Sequence, residues 1–209
     1  MPNSYAPERP SRHDSVPGRA GLRGARINIQ SGTHAIGPSN GKLFIRTYRD
    51  GMGAKLAHDL LLVANQWSGT VNVDAENPAA SSATVSVDPR SLEIVEATGG
   101  VKSLSDKDRK DIAKNIDDKV LQTSKHPEIR FESTQVAGTP PQLSVTGNMT
   151  ILGTTRPVNV ALSVDGSEVT AKTAISHKDF GMKPFSAMLG AIKLRDDVEL
   201  ELKLALPSA

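Results

Sequence analysis

The sequence predicts an all-β protein, an antiparallel eight-stranded up-and-down barrel with one amphipathic helix inserted. Period-two alternation of apolar and polar residues runs through most of the chain after residue 41. A single stretch, Ser105 to Leu121, switches to helical spacing. Short turn signals between the alternating runs imply hairpins and a meander.

Taken in order, Leu43, Ile45 and Thr47 alternate with Phe44, Arg46 and Tyr48. Leu60, Leu62 and Ala64 continue the pattern; beyond Gln66 the apolar set moves to Trp67, Gly69, Val71 and Val73, of opposite parity. A bulge or sharp coil within one long strand produces such a shift, and barrels use both to close. Ala83, Val85 and Val87 form the next strand, ended by Asp88-Pro89-Arg90, with Leu92 to Glu96 as a short extension. Ser105 is an N-cap with Asp108 three residues on, a capping-box variant. Ile112, Ile116 and Val120 then fall on one stripe, so this helix lies on something apolar. Ile129, Phe131 and Ser133 share a strand face, and Gly138 to Pro141 turns the chain. Leu143, Val145, Gly147, Met149 and Ile151 alternate without a break, as do Val158, Val160, Leu162 and Val164 beyond the turn at Gly153. Asp165-Gly166 is a hairpin signal before Val169 to Ile175. Val198, Leu200, Leu202, Leu204 and Leu206 close the series.

Composition narrows the functions. Seven aromatic residues in all argue against a base-stacking platform for single-stranded nucleic acid. The absence of cysteine removes disulfides, thiolate metal sites and a cysteine nucleophile. The longest apolar run, Leu60 to Ala64, is far short of the ~20 residues that cross a bilayer as a helix, so no integral membrane association is expected. Residues 1–26 hold five arginines against two acids, a charge of +3, and the remainder carries −1, so no nucleic-acid partner is expected. Residues 1–31, rich in Pro, Ser, Gly and Arg, read as a disordered tail, and residues 32–206 as the barrel domain. Nothing near the N-terminus forms an apolar signal core, which predicts a cytoplasmic location.

Medium-sized side chains and few rings favour an interior with room for one small ligand. On strand parity its wall comprises Ile45, Leu60, Leu62, Ile129, Phe131, Val145, Met149, Val158, Val160 and Leu162. The segment from Asp179 to Leu194 breaks the alternation, and Phe180, Met182, Phe185 and Met188 read as an adaptable apolar mouth, the alternative being a hydrophobic loop that closes the barrel end. The histidines lack metal-ligand spacing. His58-Asp59, or His177 with Asp179, offers an oriented imidazole for acid–base work, against the plainer reading of structural histidines near strand ends. An enzyme with His58 as base, and an interaction module with a packed interior, are therefore carried as alternatives to a binding protein.

In order along the chain, His58-Asp59-Leu60, Val87-Asp88-Pro89-Arg90-Ser91-Leu92, the helix, Pro127-Glu128-Ile129-Arg130-Phe131-Glu132-Ser133-Thr134, the block from Val145 to Val158 and Asp179-Phe180-Gly181-Met182 resemble the YceI-like proteins. The resemblance covers roughly residues 32–206, and its specificity lies in the whole ordered set. It implies the extended lipocalin-like barrel and a non-enzymatic role without cofactor or metal. It further implies binding, carriage or sequestration of a long isoprenoid-like lipid (polyprenyl chain, isoprenoid quinone or fatty amide), and allows a homodimer. The Arg-rich tail and the glycine-rich insert Gly51 to Ala54 depart from the family pattern.

Overall fold

The computed structural model describes residues 28–183, 186–187 and 192–209. Nearly all of the expected disordered tail, and Phe185 and Met188 of the expected mouth, lie outside the described residues. One antiparallel sheet contains β1 (Gly32–Ile36), β2 (Gly41–Asp50), β3 (His58–Ala64), β4 (Trp67–Val73), β5 (Ser82–Val87) and β6 (Leu92–Gly99). Helix α1 (Asp106–Asn115) follows, and then β7 (Ile129–Thr139), β8 (Gln142–Ile151), β9 (Thr154–Asp165), β10 (Glu168–Ser176), β11 (Ser186–Ala187) and β12 (Ile192–Ala205). The hydrogen-bonded path runs β1-β4-β5-β7-β8-β9-β10-β12-β2-β3-β6, with β11 paired to β12 off that path. The expected eight-stranded closed barrel is thus found as a curled sheet with eleven strands along its path.

The difference arises where long alternating segments are broken. The run from His58 to Val73 is interrupted at Asn65-Gln66, with Ala64 and Trp67 both buried, so parity changes across the break. The neighbouring run is interrupted from Asp88 to Ser91, where the Asp88 carboxylate accepts the Arg90 N–H at 2.9 Å. The two breaks face each other: the Asn65 N–H donates to the Ser91 carbonyl at 3.2 Å and the Asp88 N–H to that of Gln66 at 3.0 Å. The opening segment also divides, because Gly37 to Asn40 turns the chain and sends β1 to pair with β4 while β2 pairs with β3 and β12.

The hairpins follow turn chemistry. Leu152 and Gly153 take φ of 51° and 73° between β8 and β9, the left-handed pair of a tight two-residue loop that suits glycine. Gly166, at φ 61°, does the same between β9 and β10. The capping box of α1 is complete: Ser105 Oγ accepts the Asp108 N–H at 3.2 Å, and the Asp108 carboxylate accepts the Ser105 N–H at 2.9 Å. The Ser105 hydroxyl, which donates to the same carboxylate at 2.6 Å, and then the Ser105 N–H hold the Asp108 carboxyl below its ordinary value. The helix ends in a π turn, Ile116–Val120, in which the Leu121 N–H donates to the Ile116 carbonyl at 2.8 Å. Ile116 and Val120 thereby pack against the apolar cluster that contains buried Leu121.

Trp67 anchors one buried cluster with Ile29, Ile36, Val164, Val169 and Leu204; Phe180, Met149, Ile151, Ile175 and Val198 form another. Ile29 is 5% exposed, and its neighbours Asn28 and Gln30 donate N–H groups to the Gly166 and Pro207 carbonyls at 3.0 Å. The packed body therefore takes in residues just before Gly32, where the sequence reading ended the tail. No helix among the described residues is long and apolar enough to cross a membrane.

Candidate functional site

A strand side chain faces either the concave or the convex side of the sheet, so the alternation that builds the strands also paints one side apolar. The curl wraps that side around a cavity of about 870 Å³, within the range of small-molecule sites. Helix α1 and the π turn contribute Ile112, Ile116, Val120 and Leu121 to the wall, and the loops after β2 and β6 contribute Leu56 and Val101. Charge in the lining is sparse. Among the described residues Lys102 is its one lysine and no arginine reaches it, while Asp74, Asp108 and Asp111 line its edge.

Nine of the ten residues singled out by parity line this space, Ile45, Leu60, Leu62, Ile129, Phe131, Val145, Met149, Val160 and Leu162, and so does Met182 of the expected mouth. Val158 and Phe180 do not. Val158 shares the parity of Val160, but it pairs with Gly147, where the Phe131 ring lies close against the sheet. Phe180, 2% exposed, sits in the short turn Lys178–Phe180 after β10. The pairing of β9 with β10 stops at Lys172 and Ala161, and beyond that point Phe180 and Val158 border a separate crevice of about 290 Å³.

The wall also includes residues the sequence reading left out: Leu43 on β2, Val71 on β4, Ile175 on β10, and Val198, Leu200 and Leu202 on β12. The alternation that marked Ile45 and Val160 marks these equally. Two polar lining residues, Thr47 and His177, carry no such apolar signal, although Thr47 shares the parity of Ile45.

The acid–base pairs suggested by adjacency are not brought together. Neighbouring strand residues point to opposite faces, so Asp59 turns away from His58 and instead accepts the Arg49 N–H at 2.8 Å. His58 lines the cavity with Nε2 at 2.9 Å from the Lys102 carbonyl. His177 meets the Asp196 carbonyl rather than Asp179, with Nδ1 at 2.8 Å. His34 Nε2 lies 2.6 Å from the Gln30 carbonyl. No group of three or more acidic or histidine side chains among the described residues is placed to hold a metal ion.

Comparison with known proteins agrees with this architecture. The YceI-like domain matches residues 53–206. A UPF0312 protein of Pseudomonas aeruginosa (strain LESB58) is 27% identical over 129 residues, 57% of this chain and 61% of that protein. Protein YceI of Escherichia coli O157:H7 is 28% identical over 127 residues, 56% of this chain and 60% of that protein. The chain thus spans about three fifths of the length of these curated relatives. Among solved structures, Burkholderia cenocepacia BcnA superposes with a TM-score of 0.62 at 18% identity, covering 80% of this chain and 96% of BcnA. A polyisoprenoid binding domain from Saccharophagus degradans gives a TM-score of 0.52 at 9% identity, covering 85% of this chain and all of that domain. At such identities these likenesses speak to the fold alone.

Proposed function

Because the chain belongs to the YceI-like family, we propose that its cavity binds and carries one long apolar chain of isoprenoid or acyl type, without changing it chemically. The observation that carries this reading is the cavity itself: about 870 Å³ walled by Val, Leu, Ile, Phe and Met, with few charged groups at its edge. Each methylene moved from water into such a space contributes about 0.8 kcal/mol, so a chain of ten or more carbons gains affinity with little polar help. The neighbour from Saccharophagus degradans, described as a polyisoprenoid binding domain, favours the same ligand class.

An interior of this size disfavours the packed interaction module, and the diversion of Asp59 to Arg49 disfavours His58 as an oriented base. Native mass spectrometry of the protein purified from its own cells, followed by organic extraction, tests the proposal. A co-purifying species of prenyl or acyl mass is expected. A bare chain that also takes up no added polyprenyl lipid contradicts the reading.

A further inference from the structure

At the end of the cavity bounded by β10, β12, β2 and β3, polar side chains interrupt the apolar wall: His177 and Thr47, with His58 of β3 and Thr173 of β10 in the same lining. His177 follows β10, is 5% exposed, and its ring is fixed. Its backbone N–H donates to the Asp196 carbonyl at 2.8 Å, and Nδ1 lies 2.8 Å from the same oxygen. A carbonyl can only accept, so Nδ1 carries the proton and, in the neutral ring, Nε2 presents a lone pair. Nε2 has no hydrogen-bond partner among the described residues.

A β-bulge supplies that carbonyl. Between the pairs Leu194–Arg49 and Val198–Thr47, β12 carries two residues more than β2. The Asp196 carboxylate fastens the extra turn, accepting the Ser176 hydroxyl at 2.6 Å and the Lys178 N–H at 3.2 Å. Bulges re-aim side chains, and this one holds an imidazole in the wall of a largely apolar space. Thr47, beside Val198 across the pairing, lines the same end, and its Oγ1 is fully buried with no partner among the described residues. A buried hydroxyl left unpaired is costly, and such costs persist where a ligand offsets them.

We propose that this end of the cavity is a headgroup subsite for a neutral group that donates a hydrogen bond, a terminal hydroxyl or carboxamide on the bound chain. The head donates to His177 Nε2, and the Thr47 hydroxyl provides a second polar contact at the same end. A phosphorylated head is disfavoured, because Lys102 is the one lysine or arginine lining the cavity among the described residues and Asp108 lies in the same lining. This inference rests on the lipid-carrier reading.

His177→Asn keeps a donor near the Nδ1 position for the Asp196 carbonyl and removes the Nε2 acceptor; Thr47→Val removes the hydroxyl at nearly constant shape. Each variant and the unaltered full chain are titrated with three probes: a C20 isoprenoid alcohol, the same chain lacking the hydroxyl, and its monophosphate. Each variant is expected to weaken alcohol binding by roughly three- to tenfold, the scale of one hydrogen bond, and to leave hydrocarbon binding unchanged. Equal effects on alcohol and hydrocarbon, or none on either, overturn the subsite while leaving the carrier reading intact. Tighter binding of the monophosphate than of the alcohol by the unaltered chain overturns the neutral head. Failure of the unaltered chain to bind any of the three removes the carrier reading and the subsite together. Thr47→Val decides the matter if His177→Asn does not fold.

Discussion

Glu201 lies on the outer face of β12, yet its side chain is only 9% exposed because three cations cover it. Arg46 approaches at 3.0 Å, Lys172 at 3.3 Å and Lys203 at 3.8 Å. The hydrogen bond from Arg46, more than the lysines, holds the Glu201 carboxyl below the usual carboxylate range. A carboxyl depressed in the folded state binds its proton more readily when unfolded, so its contribution is full above the unfolded value. It is lost as pH falls through the folded one. Glu201→Gln is expected to lower stability by about 1 kcal/mol at neutral pH, the partners being largely exposed. Urea unfolding at pH 7 and at about pH 3 checks the sign: the gap between variant and parent should narrow in acid, where the parent also loses its charge. A gap that widens in acid is incompatible with a depressed Glu201. At this scale the sequence was least informative. Alternation placed Glu201 outside, but the three cations come from β2, β10 and β12, which only the strand order brings together.

At the scale of elements, the β7–β8 hairpin shows how a strand pair shapes the cavity. Phe131 and Gly147 sit on adjacent strands, and a β-carbon on Gly147 would lie 2.5 Å from Cε2 and Cζ of the Phe131 ring and 2.6 Å from the Glu132 carbonyl. The missing side chain lets the ring lie flat on the sheet, which keeps an aromatic in the wall without filling the lumen. Gly147→Ala is expected to cost about 1–3 kcal/mol, the usual range for overpacking, and to displace the ring. Denaturant unfolding reads the cost, and Phe131→Leu in the same chain should recover part of it; no recovery would place the strain at the Glu132 carbonyl instead. Alternation made this hairpin legible, while the reason for the glycine was not, because it depends on a neighbour 16 positions away. Helix α1 was legible from its capping box and stripe. Its π turn was not: a shift from four- to five-residue hydrogen bonding brings Leu121 into the core, and apolar spacing does not encode that shift.

For the whole molecule, the all-β class, the single helix and the apolar interior followed from a period of two that persists wherever one face is buried. Strand count and closure did not, since Asn65-Gln66 and Asp88 to Ser91 are breaks that alternation alone reads as bends. Of the residues predicted for the wall, those on regular strands mostly line the cavity. Those near the irregular return after β10 divide, with Met182 in the wall and Phe180 buried behind it. Parity is reliable along a strand and lost across a bulge of one residue, which moves each following side chain to the other face. The bulge at the His177 end adds two residues and keeps Leu194 and Val198 on the same face, but the polar end it builds depends on contacts formed only in three dimensions.

The central claim is that affinity resides in the interior. It is tested most directly by titrating the protein with a polyprenyl lipid before and after the lumen is blocked by Phe131→Trp and Met149→Trp, two positions that face each other across β7 and β8. With the variant shown to be folded, lipid affinity is expected to fall at least tenfold as displaced chain segments lose apolar burial. Unchanged affinity in the folded, blocked variant would contradict the account and move the binding site to the outer surface.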